Sequence, residues 1–185
     1  MQQFEEIKAL LGDSVTYYLI AVDMDSNYSY VNKRYAQIFE TIQGPLIGKH
    51  YSVTLHPEDQ QTCKIVSKMA FTYPKSVFPA TLRKHDGEGS FIITRWEYKA
   101  IFDEHGAPAG IFCIGHDITE LTQISDELKH VKYSHSHLVR RHVANLMGLG
   151  KLMNETSDLS DLKDITKMME QSATDLDEVI KEIYN

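Results

Sequence analysis

The sequence predicts two fold classes in succession: an antiparallel α+β domain, then an all-α helical hairpin that pairs with a second copy as a dimeric four-helix bundle. Three observations predict this. Short runs rich in aromatic and β-branched residues, separated by turn-forming Gly, Asp and Asn, occupy the chain from Thr16 to His116. Beyond Asp117 there is neither a strand pattern nor a proline, only helical periodicity. The two helical stretches there both carry apolar stripes, and a lone hairpin cannot bury both.

Residues 1–13 form an N-terminal helix, with Phe4, Ile7, Leu10 and Leu11 at helical spacing and Gly12-Asp13 as the stop. "TYYLIAVDM", the turn "DSN" and "YSYVN" then read as a hairpin. Asn32 is placed to cap "KRYAQIFE", in which Tyr35, Ile38 and Phe39 share a face. After Gly44-Pro45 and Gly48, His56-Pro57 opens a helix through "EDQQTCKIVSKMAF", with its acids in the first turn where the helix dipole favours them. Three strands follow, Ser76 to Lys84, Ser90 to Asp103 and Pro108 to His116, separated by "HDGEG" and "EHGAP". These elements make residues 14–117 one antiparallel α+β domain.

Residues 118–185 differ in character. "DITE" has the form of a capping box, Asp117 accepting from the first turn and Glu120 reaching back. Leu121, Ile124, Leu128 and Val131 follow at heptad spacing, and the same frame puts His135, Leu138 and His142 inward. A second stripe, Val139, Val143, Leu146 and Met153, is shifted by one residue, as where a narrow coiled coil widens into a bundle. "NETSDLSD" breaks the pattern, and Leu162, Ile165, Met169, Leu176, Val179, Ile180 and Ile183 mark a second helix.

The net charge of −7 argues against a nucleic-acid partner or an anionic membrane surface, which both require a concentrated basic face. Cys63 and Cys113 lack metal-type spacing and read as reduced, buried thiols of a cytoplasmic protein. No apolar run is long enough to cross a bilayer, and the N-terminus has no signal-peptide pattern.

The histidines of "YSHSHLVRRHVANLMGLGKLM" raise three possibilities: metal binding, core filling or chemistry. Chelating pairs on a helix sit three or four residues apart, whereas His130 and His137, and His135 and His142, are each seven apart. No metal is expected. His135 and His142 suit an inward role on the seam. His137 falls outside both stripes, where a docking partner can reach its ring, and a neutral ring nitrogen is a competent nucleophile toward phosphorus.

"SHLVRRHVANLMGLGKLM" resembles the phosphoacceptor helix of sensor histidine kinases. The matches are Ser136, His137, Val139, Arg140, Ala144, Gly148 and Leu149, to a subgroup reading Ser-His-x-Val-Arg-x-Pro-Leu-Ala with Gly-Leu following. "DLDEVIKEI" resembles the second hairpin helix of that family. "LIGKHYSVTLHPED", the strand order and "GHDITE" resemble a PAS domain and its exit motif. The resemblance implies a PAS sensor followed by a dimerisation and histidine-phosphotransfer hairpin. It makes His137 the phosphoacceptor, Arg140 a helper in positioning phosphate or the regulator, and Asp117, Thr119 and Glu120 the signal relay.

Two positions depart from the pattern: Leu138 stands where the family has an acid, and His142 where it has proline. Gly148 and Gly150 are the helix-weakening residues that remain. No phosphate-cradling glycine loop is present, and the ATP-binding domain that follows such a hairpin is missing from this sequence. ATP and Mg are therefore expected to act through a separate kinase domain, in cis or in trans, with a response regulator as the second partner. The rivals are a non-enzymatic PAS scaffold that only dimerises and transmits, and a phosphorelay intermediate loaded from a regulator.

PAS domains enclose a small pocket, for which Tyr18, Ile20, Phe39, Ile65, Phe78, Ile93 and Phe112 are lining candidates. The flavin-adduct cysteine motif is absent, and His50 and His56, in loop and cap contexts, are poor haem ligands. The ligand is left open.

Overall fold

Alternating burial along the strands builds the first half of the protein. The computed structural model describes residues 2–184. The chain divides into two units, Met1–Thr122 and Gln123–Asn185. In the first, helix α1 (Gln2–Leu11) precedes the hairpin β1 (Tyr18–Val22) and β2 (Tyr28–Val31), then helix α2 (Lys33–Gln43). Two single 3₁₀ turns, Tyr51–Thr54 and Pro57–Asp59, lead into α3 (Gln60–Thr72). The strands β3 (Phe78–His85), β4 (Phe91–Phe102) and β5 (Pro108–Asp117) complete a five-stranded antiparallel sheet of order β2-β1-β5-β4-β3.

One face of the sheet supplies Tyr18, Ile20, Leu82, Trp96, Tyr98 and Cys113 to a core closed by Tyr35 and Phe39 of α2 and Cys63, Val66 and Ala70 of α3. On β4, buried Thr94, Trp96, Tyr98 and Ala100 alternate with exposed or half-buried neighbours, the period-two pattern of a strand covered on one side. The Trp96 indole donates to Thr94 Oγ1 at 2.7 Å and Thr94 donates on to Leu82 O at 2.8 Å, so neither polar group is stranded. Gly115 lies opposite Trp96 in the ladder, and a Cβ there would come within 2.5 Å of the indole. The other sheet face is covered at Phe112 and Tyr30 by Phe4 of α1, with ring centroids 5.2 and 5.7 Å away.

Asn32 caps α2 as its sequence position predicts. Its Oδ1 accepts from Tyr35 N and Leu19 N, both at 3.1 Å, and its Nδ2 donates to Tyr17 O at 2.9 Å. The acids after His56 differ from expectation. They lie in a 3₁₀ turn, α3 starts only at Gln60, and Asp59 makes no side-chain cap. Instead its carboxylate takes Arg83 N at 2.6 Å, Arg83 Nε at 3.1 Å and Arg83 Nη2 at 2.7 Å. Burial alone pushes the Asp59 carboxyl up, but the Arg83 hydrogen bonds and charge outweigh it and hold it below the usual range. A bidentate guanidinium is a stronger partner than the partial charge of a helix end.

β5 runs through Ile118 into α4 (Thr119–Glu155). Asp117 Oδ1 accepts from Thr119 N at 2.8 Å and from the Thr119 hydroxyl at 2.6 Å. Ile118 N donates to Ile93 O at 2.8 Å. Glu120 is exposed and its side chain makes no hydrogen bond among the described residues, so the predicted box is realised only in its Asp117 half.

In the second unit α4 continues without interruption through Gly148 and Gly150, and residues 156–158 connect it to α5 (Leu159–Tyr184). Asp158 caps α5, its Oδ1 accepting from Ser160 N at 2.7 Å and Asp161 N at 3.3 Å. Leu138, Leu146, Leu149 and Met153 on α4, and Leu162, Ile165, Met169, Leu176 and Val179 on α5, are half-buried. Ser172 Oγ donates to His142 O at 3.5 Å between the two helices. Among the described residues, no helix is long and apolar enough to cross a membrane.

Candidate functional site

Each unit carries one site. The first is a cavity of about 110 Å³ between the inner sheet face and α3. Ile20, Leu82, Phe71, Trp96, Ile111 and Cys113 are among its apolar walls. Of the seven predicted lining residues, only Ile20 reaches it. Tyr18 and Phe39 are spent in the aromatic core, where Tyr18 meets Tyr35 edge to face and Phe39 packs tilted against it. Ile65 is 50% exposed on the outer side of α3. Phe112 faces α1 on the opposite side of the sheet from Ile111 and Cys113, because side chains one residue apart on a strand point to opposite faces. Phe78 packs at the core edge near Tyr73, and Ile93 uses its backbone to bind the start of α4.

The residue that sequence reasoning missed is Lys84. It is 3% exposed, on the inward phase of β3 with Ala80 and Leu82. Its Nζ lies 5.1, 5.5 and 5.8 Å from the ring centroids of Trp96, Tyr35 and Phe39. It donates to Thr54 Oγ1 at 3.1 Å. Thr54 in turn bonds the Tyr28 and Tyr35 hydroxyls at 2.7 and 3.0 Å, and those two phenols are 2.8 Å apart. Among the described residues no carboxylate pairs with Lys84. Burial pulls its ammonium down from 10.5 to about 8. Burial likewise pushes Tyr28 up to about 12 and Cys113 above its ordinary range, so the cavity walls are uncharged apart from this lysine and Asp23. A lysine in phase with Ala80 and Leu82 on a strand is a conflict visible in the alternation itself, once the inward phase is assigned.

His50 and His56 are occupied as caps, their Nδ1 atoms accepting from Ser52 N and Glu58 N, both at 3.2 Å.

The second site is on α4. His137 is exposed, and its Nε2 lies 3.1 Å from the hydroxyl of Tyr133, one turn earlier. The two rings are 4.9 Å apart at 53°. Arg140 is exposed and, with Leu128, Val131, His135, Val139 and Ile183, lines a groove of about 590 Å³. His137 is not among the residues that line that groove, although on the continuous helix it lies one turn from Arg140. His142 is 6% exposed, its Nε2 3.3 Å from Arg141 Nη2 and its Nδ1 without a hydrogen-bond partner. His135 is half-buried. Leu121, Ile124, Leu128 and Val131, the predicted heptad seam, are 67, 55, 68 and 47% exposed.

Of the three residues expected to relay a signal, Asp117 and Thr119 meet at the sheet and Glu120 is exposed beside them. Thr119 Oγ1 accepts from Ile93 N at 2.9 Å while its proton goes to Asp117, so the first turn of α4 is tied to β4 as well as continuing β5.

A sequence family described as PAS fold matches residues 13–123. No curated protein matches the sequence. Among solved structures, the PAS domain of a protein from Colwellia psychrerythraea is similar at a TM-score of 0.54 and 17% identity, covering 63% of this chain and 98% of that one. A sensory box histidine kinase/response regulator from Burkholderia thailandensis has a TM-score of 0.48 at 15% identity, with 71% and 96% covered. The N-terminal domain of a diguanylate cyclase with PAS/PAC sensor from Marinobacter aquaeolei has 0.43 at 17%, with 57% and 98% covered. At 17% identity the likeness to the Colwellia psychrerythraea PAS domain is one of fold, and it agrees with the sequence-family match over more than half the chain. The chain belongs to the PAS fold family.

Proposed function

We propose that this chain is the sensory and phosphoacceptor part of a two-component histidine kinase. The observation that carries the reading is His137: an exposed imidazole on a long helix, flanked by Ser136, Val139 and Arg140 in the pattern of a phosphoacceptor. In the transfer, the His137 Nε2 lone pair attacks the γ-phosphorus of ATP, a P–N bond forms, the bond to the β-bridging oxygen breaks, and ADP leaves. The imidazole then sheds its Nδ1 proton. A response-regulator aspartate later takes the phosphoryl group. ATP and Mg come with a separate kinase domain. Arg140 is a positioning residue for phosphate or for the acidic regulator surface.

A homodimer belongs to the same reading. Leu121, Ile124, Leu128 and Val131 repeat at heptad spacing and are all at least 47% exposed, an apolar stripe whose natural cover is the same stripe of a second copy. Asp117 and Thr119 transmit a change in the sheet to α4, with Glu120 beside them on the solvent side. Leu138 favours a second reading: with no acid beside His137 to take the Nδ1 proton, the chain serves as a dimeric PAS scaffold without phosphotransfer.

The test incubates the chain with ATP and a histidine-kinase ATP-binding domain, and separately with a phosphorylated response regulator. Acid-labile, base-stable phosphate that maps to His137 and vanishes in His137→Gln supports the reading. Loading only from the regulator makes the chain a phosphorelay intermediate, and no phosphate in either arm leaves the scaffold. Sedimentation of the chain against Leu128→Lys tests the dimer, which the added charge should dissociate.

A further inference from the structure

Lys84 is a buried cation without an anion. An ammonium has three donors, and Lys84 spends one of them, on Thr54. Thr54 has no more to offer. Besides Lys84, its Oγ1 meets the Tyr28 and Tyr35 hydroxyls at 2.7 and 3.0 Å, and it is within donating distance of Tyr51 O at 3.4 Å. The three rings around Nζ present π faces, which attract a cation but accept no full hydrogen bond. Asp23 also borders the cavity, but its Oδ1 is engaged in its own turn, accepting from Asp25 N at 3.0 Å and Asn27 N at 2.8 Å. Asp23 forms no ion pair with Lys84. Proteins rarely bury a charge unless it is paired, and Lys84 is one of the residues that line the cavity.

We propose that this cavity binds a short-chain organic monocarboxylate, with its carboxylate on Lys84 Nζ and its hydrocarbon body against Ile20, Leu82, Trp96 and Ile111. The charge is fixed by Lys84, the single cation on the cavity wall among the described residues. A dicarboxylate or a phosphate dianion would leave one negative charge facing apolar side chains or Asp23, without compensation. The size is fixed by the volume. About 110 Å³ is somewhat less than the ~150 Å³ that holds a benzene ring, which points to a ligand on the order of five or six non-hydrogen atoms. Butyrate and isobutyrate are of that size. Met24, 55% exposed, borders the cavity on the solvent side and marks the way in. The inference supplies a ligand class for the sensory half of the proposed function. Its test reads binding alone, so a failed phosphoacceptor assignment leaves it standing.

Isothermal titration of the whole chain with butyrate, isobutyrate and the neutral, isosteric isobutyramide tests it. A carboxylate binding with a Kd below about 1 mM, at least tenfold tighter than isobutyramide, is the expected result. Lys84→Met and Lys84→Gln should each weaken the carboxylate at least tenfold and leave isobutyramide unchanged. Thr54→Val, which keeps the cation, should retain binding. Equal affinity for acid and amide would overturn the proposal, as would undiminished binding in a folded Lys84→Met chain. So would the absence of heat from any of these carboxylates at 10 mM, on the order of ten times the expected Kd.

Discussion

Thr119 Oγ1 accepts a hydrogen bond from the backbone N–H of Ile93 at 2.9 Å, while its own proton is held by Asp117 Oδ1 at 2.6 Å. The first residue of α4 is thereby a partner of β4, although the chain reaches it from β5. A hydroxyl does both jobs because it donates once and accepts twice. Displacement of β4 therefore pulls on the first turn of α4 directly.

Thr119→Val keeps the shape and removes both bonds. It should destabilise the first unit by about 1–2 kcal/mol, the usual cost of losing a cap and leaving a part-buried N–H unpaired. Asp117→Ala should cost about 1 kcal/mol, and Glu120→Ala should lie within about 0.5 kcal/mol of wild type, since the Glu120 side chain makes no hydrogen bond among the described residues. Urea unfolding followed by the fluorescence of Trp96, the one tryptophan of the chain and part of the first unit's core, measures all three. A Glu120→Ala effect as large as that of Asp117→Ala would restore the full capping box.

Gly115→Ala should be among the most damaging single-methyl additions in the molecule. The new Cβ would lie 2.5 Å from Trp96 Cδ2, and the indole is held flat between Tyr18, 6.0 Å away and stacked, and the Thr94 hydroxyl. Overpacking of this kind costs about 1–3 kcal/mol, read as a lower denaturation midpoint with a shifted Trp96 emission. Gly148→Ala and Gly150→Ala are the contrast. A Cβ at either position meets nothing within 4 Å, so each should stabilise α4 by up to ~1 kcal/mol.

What was legible in the sequence follows the range of the interactions. The strands, the Asn32 cap and the Asp117–Thr119 pair depend on residues a few positions apart, and their side-chain chemistry states the answer locally. The inward position of His142 also came through, because a helical period carries it. Asp59 did not, since its partner Arg83 lies 24 residues on, and a distant guanidinium outbids a nearby helix end. The cavity lining failed for a different reason. Choosing Phe112 over Ile111 and Cys113 is a one-residue error in strand phase, and on a strand one residue exchanges the faces. Lys84 is the last residue of the strand that the sequence predicts from Ser76. It shares the face of Leu82 by the alternation of the strand, and the burial along β3 shows that this face is the covered one.

Lys84 also gives the first unit a pH dependence of defined sign. Burial lowers its ammonium to about 8 in the folded chain, against 10.5 when exposed. Between those values the unfolded chain holds a proton that the folded chain has released, so this residue's contribution to stability rises with pH through that window and is flat below it. The change is roughly 3 kcal/mol. Cys113, Tyr28 and Tyr98, all pushed up by burial, work in the opposite direction once pH exceeds their ordinary values, so the wild-type curve alone mixes the contributions. Comparison with Lys84→Met isolates the lysine. The variant should be more stable than wild type at pH 7, and its advantage should shrink by roughly 3 kcal/mol by pH 10.5. A gap that does not vary with pH would mean that the ammonium is hydrated after all.

The last prediction concerns the proton that His137 would have to lose in the proposed phosphotransfer. In a phosphoacceptor the imidazole becomes cationic as Nε2 bonds phosphorus, and a base at Nδ1 lowers the barrier. Leu138 supplies none. The Tyr133 hydroxyl, 3.1 Å from Nε2, meets the nucleophilic atom and not the proton-bearing one, so in its present place it competes with the incoming phosphorus. Leu138→Glu should therefore raise the initial rate of phosphate loading by roughly ten- to a hundredfold, the low end of general-base effects. Tyr133→Phe should raise it only about fivefold, because it releases a single exposed hydrogen bond worth about 1 kcal/mol. Rates of acid-labile phosphate incorporation from an ATP-loaded kinase domain decide between them. A Leu138→Glu chain no faster than wild type would mean that proton removal does not limit the reaction, and Leu138 would cease to count against His137. If Tyr133→Phe were slower, the phenol would be orienting the ring for attack and would belong to the site itself.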